Sequence, residues 1–377
     1  MTKTILFICN EYPPYPSGGI GSFVKNLAEF LQTKSCTCIV AGLYGIHTDI
    51  HEEINGVQVF RFTTTTRSGW LRGIRQSFAD KKKLSIHIHE LEQRYQPDFI
   101  ETFEWSGPLY KKPNTRLIVR LHGSHTVHAM AQHIKPSRWI AFWEKRTYHM
   151  ADKLVGVSKY ILQQSEHCFG KTTIPKQILY NSINTEQFSP DHEWVTRDYE
   201  LLFAGRFHEQ KGVYELPALL KILFALEPKY RFVFLGHHSD QQKERWLQQF
   251  THAEQERITF LQGITHSQLS KYYQTAQVVL VPSRGEAFGL VAAEAMSCGA
   301  VVAMNQVSSA NELIDDEHDG ILIDMKNPLS SAEKIHRVLQ NTQQVKQIEQ
   351  EARKKVLSKF SNRQLLEENY MLYTDNL

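Results

Sequence analysis

Short apolar runs alternate with amphipathic stretches along most of the chain. The runs are rich in Val, Ile, Leu and Phe, as buried strands are, and between them apolar residues recur with the period of a helix. The pattern predicts strands at residues 1–9, 37–41, 57–62, 97–101, 116–121, 201–206, 231–236, 258–263, 276–281 and 300–304. Strands that alternate with helices favour parallel sheets, so the expected fold class is α/β, with doubly wound Rossmann-like domains.

A polar segment at residues 184–198 separates two such series and contains Pro190. Proline and polar residues without an apolar period are typical of a linker. The length of 377 residues also suggests two to three domains. The sequence therefore predicts an N-terminal domain over residues 1–188 and a C-terminal domain over residues 189–360.

The most informative stretch is residues 281–299, V-P-S-R-G-E-A-F-G-L-V-A-A-E-A-M-S-C-G. A buried strand leads into it, and helix-favouring residues begin after Gly289. The free amides and the positive end of a helix start favour a phosphate. Glu286 lies just before that start and Glu294 one to two turns inside, which suits the hydroxyls of a sugar nucleotide. Taken singly, each acid is more simply explained as an N-terminal charge or part of a solvated helix face.

A second turn carries two cations. A predicted strand ends in Gly205-Arg206, and Lys211-Gly212 follow before the next helical pattern. Two cations on a strand–helix turn can hold a diphosphate from one side. The alternative is an exposed turn with unrelated charges.

Together these residues resemble a known family. The two acids in P-S-R-G-E-A-F-G-L-V-A-A-E-A-M-S-C-G, with G-R-x(4)-K-G upstream, resemble the donor site of retaining glycosyltransferase family 4. The resemblance implies the GT-B fold, in which two Rossmann-like domains face each other across a cleft. It also implies that residues 361–377 cross back onto the first domain.

The resemblance further implies an activity and site residues. A sugar would pass from a nucleoside diphosphate sugar, expected to be a UDP-sugar, to a hydroxyl of a glycan, lipid-linked or small-molecule acceptor, with retention of configuration. His122, Arg206, Lys211 and Glu286 would be catalytic. The implied donor-binding residues are Gly18, Gly19, Gly205, Arg206, Lys211, Gln262, Glu286, Ala287, Phe288, Gly289, Leu290 and Glu294. Relatives commonly carry paired glycines where this chain has Ser308 and Ser309, which leaves the phosphate contacts there open.

No cofactor and no metal are expected, because the sequence contains no D-x-D pair. The leaving phosphate would then be stabilised by cations and helix amides alone. Two other functions stay open at this point. One is a GT-B-like sugar-nucleotide epimerase, and the other is a sugar-nucleotide-binding module without activity, which the intact charged motif disfavours.

Composition narrows the class of protein, its cellular compartment and its partners. Hydrophobic residues make up 41% and charged residues 22%, as in ordinary globular proteins, and no apolar run reaches the ~18 residues of a membrane helix. The five cysteines form no C-x-x-C pair, which favours a reducing cytoplasm. Residues 1–188 contain 23 Lys and Arg against 15 Asp and Glu, whereas the remainder contains 20 against 25. No nucleic-acid motif accompanies the basic half, so nucleic acid is not an expected partner.

The segment 67–84 is basic and amphipathic. Trp70, Leu71, Ile74 and Phe78 share one helical face, with cations on the others. Such a helix suits peripheral contact with the cytoplasmic face of an anionic membrane. The alternative, which the composition favours more, is a helix that packs its apolar face on the sheet and leaves its lysines in solvent.

Overall fold

A computed structural model describes residues 3–15, 19–65, 72–132, 134–190 and 199–374 of the protein, with the side chain of Arg72 also left out. The chain divides into two compact units. The first contains Met1–Tyr180 and Leu366–Leu377, and the second contains Asn181–Leu365. Each unit has its own sheet and its own hydrophobic core.

The first unit is built on an eight-stranded sheet with the order β3-β4-β2-β1-β5-β6-β7-β8. All neighbours are parallel except β3 and β4. The strands are β1 (Thr4–Ile8), β2 (Thr37–Tyr44), β3 (Ile50–Ile54), β4 (Val57–Thr63), β5 (Phe99–Phe103), β6 (Arg116–Leu121), β7 (Lys153–Gly156) and β8 (Lys176–Ile178). The helices are α1 (Gly19–Thr33), α2 (Arg72–Tyr95), α3 (His125–Ala131), α4 (Arg138–Met150) and α5 (Lys159–Phe169).

The second unit has a six-stranded, wholly parallel sheet with the order β11-β10-β9-β12-β13-β14. Its strands are β9 (Glu200–Ala204), β10 (Arg231–Leu235), β11 (Ile258–Leu261), β12 (Val278–Val281), β13 (Val301–Asn305) and β14 (Ile321–Ile323). Its helices are α6 (Leu216–Leu226), α7 (Asp240–Leu247), α8 (His252–Gln255), α9 (Leu269–Thr275), α10 (Leu290–Ser297), α11 (Ala310–Leu313), α12 (Pro328–Gln340) and α13 (Thr342–Lys359). Short 3-10 helices lie at Glu209–Lys211 and His266–Gln268.

The two sheets explain the sequence pattern. Strands flanked by helices on both faces are apolar throughout, and β1, β9, β12 and β13 are almost wholly buried. The parallel α/β architecture predicted from the alternating runs is therefore confirmed. β3 and the short β8 escaped prediction because they are partly or mostly exposed at sheet edges and have no apolar run.

A last helix, α14 (Asn362–Thr374), supplies part of the first unit's core. The Tyr373 hydroxyl donates to Oε2 of Glu101 at 2.6 Å. Nε of Arg120 donates to the same carboxylate at 2.6 Å, and Nη2 of Arg120 donates to Oδ1 of Asn369 at 2.7 Å. Because all four residues are buried, their charges and hydroxyl must satisfy one another.

The units divide earlier than the predicted boundary after residue 188, and the return begins at Leu366 rather than at residue 361. Local hydrogen bonds account for this. Ile183 forms a bridge with Ser361, and Nη1 of Arg353 donates to the Phe188 carbonyl at 2.8 Å. The first residues of the expected linker therefore belong to the second unit.

The described part of the basic segment differs from the packed-helix alternative, and its contact with a membrane stays a prediction. Trp70 and Leu71 lie outside the described residues, and Ile74 and Phe78 on α2 are each 41% exposed. Lys81, expected in solvent, is buried and donates to the Ser106 and Gly107 carbonyls at 2.7 and 2.5 Å. The helix thus buries a lysine while Ile74 and Phe78 stay partly exposed, and the Phe78 ring also contacts Tyr110 and Trp143, with centroids 5.2 and 6.3 Å away. In the part of the chain that the structure describes, no helix combines the length and apolar character needed to cross a membrane.

Candidate active site

The segment from β12 to α10 is a strand, a loop and a helix, as the sequence predicts. Gly289 precedes the helix with a φ of +100°, in the left-handed region that favours glycine. A Cβ there would lie 3.2 Å from side-chain atoms of Leu313 and Met304. Gly299, just past the helix, has a φ of +71° and caps its end. Glycines therefore fix both ends of α10 and set its first amides beside the loop that carries Glu286.

Glu286 is partly exposed in this loop and accepts two hydrogen bonds at one oxygen. Nζ of Lys211 lies 2.6 Å and Oγ of Ser283 lies 2.7 Å from its Oε1. No described residue hydrogen-bonds to Oε2. A carboxylate held at one oxygen and open at the other can accept a hydroxyl from a ligand.

Two side chains outside the loop hold its backbone. Oγ of Ser309 donates to the carbonyls of Glu286 and Phe288, at 3.0 and 3.2 Å. Nδ2 of Asn305 donates to the carbonyl of Ser283 at 3.1 Å. Ser309 stands at one of the two positions where the family commonly carries glycine, and neighbouring Ser308 keeps a left-handed φ of +56°. Ser309 therefore holds the loop backbone in place, which the sequence did not reveal.

The Gly205–Gly212 turn packs against the Glu286 loop. Gly212 has a φ of +71°, and a Cβ on it would lie 2.0 Å from the Pro282 carbonyl oxygen, so glycine is required there. Lys211 reaches across to Glu286, whereas Arg206 is exposed. The described residues offer the Arg206 guanidinium no ion pair. The turn thus holds one cation that pairs with Glu286 and one that is available to an anion.

Arg284 is a third cation here, but its charge is already matched. It forms ion pairs with Glu209 and Glu215, the latter at 2.5 Å from Nη2 to Oε1. Its backbone amide donates to the carbonyl of Gln210 at 2.9 Å. Arg284 therefore ties the two loops together, a role that sequence reasoning missed.

Glu294 lies inside α10 and is nearly buried. Its Oε1 is 2.9 Å from Nε2 of His266, and this hydrogen bond raises the pKa of the histidine. The imidazole itself is 64% exposed. Sequence reasoning missed His266, because it lies 28 residues before Glu294 on a different element. Both acids of the motif are therefore paired with ionisable side chains.

The remaining predicted donor residues occupy the same edge of the sheet. Leu290 is the first residue of α10, Phe288 is buried against Phe360 with ring centroids 5.2 Å apart, and Ala287 lies beside Glu286 in the loop. Gln262 follows β11 and is exposed, and its Nε2 lies 3.2 Å from Nε2 of His238.

His122 belongs to the first unit, directly after β6. Burial and the nearby Arg120 guanidinium lower the pKa of this histidine to about 3. Its ring contacts Phe23 of α1, with centroids 5.5 Å apart. A neutral imidazole exchanges hydrogen bonds with hydroxyls and does not act as a cation for phosphate at neutral pH.

Two buried acids hold the loop that contains His122. Glu104 accepts the amides of His122 and Gly123 at 3.0 and 2.8 Å, and burial raises its pKa to about 8. Glu144 accepts the amides of His125 and Thr126, both at 2.9 Å. Neither acid was predicted. Glu104 carried a usable signal, an acid just past a buried strand next to the strand of His122.

The glycine-rich turn after β1 is only partly described. Gly18 lies outside the described residues, and Gly19 is the exposed first residue of α1. Glycine is required at position 21, because a Cβ on Gly21 would lie 2.0 Å from the Glu11 carbonyl oxygen. Its amide also donates to Oε1 of Glu11 at 2.9 Å. The structure therefore brings Lys211 and Glu286 into contact in the second unit, while His122 and Gly19 lie in the first.

Two family models match the chain. The model described as Glycosyl transferases group 1 matches residues 184–355, and the model described as Glycosyltransferase Family 4 matches residues 17–187. An uncharacterised glycosyltransferase of Methanocaldococcus jannaschii is 26% identical over 98% of this chain and 97% of its own length.

Solved structures show the same fold. Sucrose-phosphate synthase from Thermosynechococcus elongatus superposes with a TM-score of 0.84 at 21% identity, over 99% of this chain and 98% of that chain. Anabaena HepE in complex with UDP and glucose gives a TM-score of 0.74 at 16% identity, over 99% of both chains. Both likenesses establish the GT-B fold. With the two family matches covering consecutive halves of the sequence, the chain belongs to the group 1 glycosyltransferases of the family 4 type.

Proposed function

We propose that the protein transfers a sugar from a nucleoside diphosphate sugar to a hydroxyl of a glycan, lipid-linked or small-molecule acceptor, with retention of configuration. A UDP-sugar is the favoured donor, because a protein of the same fold, Anabaena HepE, has been solved with UDP and glucose. The observation that carries the proposal is the meeting of the Gly205–Gly212 turn with the Glu286 loop at the head of α10, through Lys211 and Glu286.

The chemistry requires stabilisation of a leaving diphosphate. As the bond between the anomeric carbon and the phosphate oxygen breaks, the electron pair goes to that oxygen. Arg206, Lys211 and the first amides of α10 supply positive potential there, each cation contributing roughly a few kcal/mol in a water-poor site. The acceptor oxygen bonds to the anomeric carbon on the same face, and its proton passes to the leaving phosphate oxygen.

The two acids accept hydrogen bonds from different hydroxyls of the donor. Glu286 has an open oxygen in the loop before α10, which suits the sugar. Glu294, inside the helix, suits the ribose. We assign the nucleobase to the backbone beside Gln262, and hydrogen bonding near the transferred sugar to the neutral imidazole of His122.

Arg206→Ala and Lys211→Ala test the assignment directly. Each should lower turnover at least about a hundredfold, because the charge on the diphosphate grows in the transition state. Lys346→Ala, which removes an exposed lysine from α13, is the matched control and should keep wild-type turnover. The reaction is followed by release of free nucleoside diphosphate, and thermal unfolding checks that each variant folds.

The donor is found first by a thermal-shift screen of nucleoside diphosphates and their sugars. A ligand at about 100 times its dissociation constant stabilises the folded state by ~2.7 kcal/mol. Near-normal turnover in both cation variants would refute the proposal. Conversion of the donor's sugar without any acceptor would point to an epimerase instead.

We also propose that catalysis needs no metal. The support is the absence of D-x-D from the sequence, together with the two cations of the Gly205–Gly212 turn, which occupy the role a metal would have. Activity should survive EDTA. Loss of activity in EDTA with recovery in Mg²⁺ or Mn²⁺ would contradict this.

Membrane contact through α2 is a further proposal, supported by the partly exposed apolar residues Ile74 and Phe78 and by the exposed cations Arg75 and Lys82. Binding to vesicles containing anionic lipid should weaken in Ile74→Ser/Phe78→Ser and in Arg75→Gln/Lys82→Gln, and should fall with salt. Ile86→Ser, an exposed apolar residue further along the same helix, is the control. Equal binding to neutral and anionic vesicles would exclude this role.

A further inference from the structure

The first unit contains a cavity of about 350 Å³ that the donor chemistry does not use. It opens at the carboxyl ends of β1, β2, β4 and β5, and α2 forms its other wall. These strands are parallel to one another and to β6, so the cavity lies at the same sheet edge as His122. Ligands of open α/β sheets bind at this edge, and the volume falls within the usual ~300–1,000 Å³ of small-molecule sites.

Trp105 forms an exposed aromatic face in this cavity. Its side of the cavity is built on rigid backbone, because the amide of Ser106 donates to the buried Glu144 at 3.0 Å. The indole contacts His125 and His128, with ring centroids 6.1 and 5.9 Å away, yet the residue stays 38% exposed. A large apolar ring that is held in place and left open suits the C–H face of a sugar ring.

The opposite wall offers hydrogen-bonding groups that no other described residue uses. Oδ1 of Asp80 accepts the amide and hydroxyl of Thr65 at 2.6 and 2.7 Å, which orients the carboxylate and leaves its second oxygen open. No described residue hydrogen-bonds to the side chains of Gln76 and Ser77, which also line the cavity. Asn10 uses its oxygen on the Leu43 amide at 3.0 Å, so its amino group is available. Acceptors and donors side by side match a row of hydroxyls.

The charge of the cavity selects against anions. Its one lysine, Lys81, points its ammonium at the Ser106 and Gly107 carbonyls, 2.7 and 2.5 Å away, and Asp80 is the acid beside it in sequence. The lining therefore carries no net formal charge. Among the described lining residues, a phosphate or carboxylate would find no free cation, whereas a neutral hydroxylated ring would leave no charge unpaired.

We propose that this cavity binds a neutral pyranose residue of the acceptor, with its C–H face on Trp105 and its hydroxyls on Asp80, Gln76, Ser77 and Asn10. The inference rests on the proposed glycosyl transfer, and it narrows the acceptor to one whose recognised part is an uncharged sugar.

The test measures binding of methyl α-D-glucopyranoside, methyl β-D-galactopyranoside and methyl α-D-mannopyranoside by saturation-transfer NMR with saturating UDP present. At least one should bind. Trp105→Ala and Asp80→Asn should each weaken it about tenfold or more, and Gln76→Ala severalfold, while Trp105→Phe should retain most of the affinity. Gln76 has no partner in the described chain, so its variant changes binding without a folding defect.

Controls identify the site. Phe142→Ala removes an exposed aromatic residue elsewhere in the first unit and should leave binding unchanged. Glucose 6-phosphate and glucuronic acid should bind more weakly than the neutral glycosides. The inference is overturned if no neutral glycoside binds, or if Trp105→Ala and Asp80→Asn leave the affinity unchanged. It is also overturned if the charged sugars bind more tightly than the neutral glycosides, or if Glu286→Gln is the variant that abolishes binding. Calorimetry of UDP and GDP on the same protein separates these outcomes from a failure of the donor assignment.

Discussion

Glu286 and Glu294 in the second unit bond to the side chains of Lys211 and His266, whereas Glu104 and Glu144 in the first unit bond only to backbone amides among the contacts described above. The first pair can exchange its partners for a ligand, because water can solvate a partly exposed lysine and an exposed histidine when the carboxylates release them. The second pair is buried, and no other described residue accepts a hydrogen bond from the amides that it holds. Acids of one chemical type thus hold a loop in the first unit, whereas in the second unit we propose that they bind the donor.

The largest effect is expected when one of the two buried acids, Glu104 or Glu144, is removed. Glu144→Ala removes the acceptor of three amides, those of Ser106, His125 and Thr126. Each buried donor left unpaired costs about 1–3 kcal/mol, so the free energy of unfolding should fall by roughly 3 kcal/mol or more. Urea denaturation measures it. Glu286→Ala, the matched change in the second unit, should shift the unfolding free energy by less than ~1 kcal/mol because its ion pair is partly exposed. Equal losses would remove the contrast.

A smaller effect separates the two binding acids from each other. Glu294→Gln should weaken the free nucleoside diphosphate and the whole donor about equally, by roughly tenfold, because a ribose hydroxyl loses its acceptor. Glu286→Gln should leave the bare diphosphate nearly unchanged and act on the sugar-bearing donor, mostly in turnover. Calorimetry with both ligands on both variants decides this. A matching loss of diphosphate affinity in Glu286→Gln would show that the roles are assigned wrongly.

The sequence predicted the two acids of the second unit, but not the two acids of the first unit. The strands, the helix start at Gly289 and the two acids of the motif lie within one short stretch, where spacing fixes their geometry. The partners His266 and Ser309 come from separate elements, and chain spacing does not encode such contacts. Glu144 was missed for the same reason, since it reaches the His122 loop from 19 residues away on a different element. Lys81 was placed in solvent because helical periodicity does not reveal carbonyls offered by another loop.

The smallest effect concerns pH. The hydrogen bond to Glu294 raises the pKa of His266 above its unfolded value. The stabilisation is therefore complete below the ordinary histidine pKa, ~6.5, and is lost as pH rises through the raised value. Because the imidazole is largely exposed, the change should stay below ~1 kcal/mol. Unfolding of wild type and His266→Ala between pH 5 and pH 9 measures it, with His252→Ala as the control. A difference that grows toward alkaline pH would reverse the expected sign.

The core of the first unit has a consequence for how the protein is made. Asn369 and Tyr373, which satisfy the buried Arg120 and Glu101, are translated only after the whole second unit. While the ribosome synthesises residues 181–365, the buried ion pair between Arg120 and Glu101 lacks these two additional hydrogen-bond partners. A message cut short before α14 would thus yield a chain whose first half, although complete in sequence, lacks its last internal partners and is exposed to proteases and chaperones.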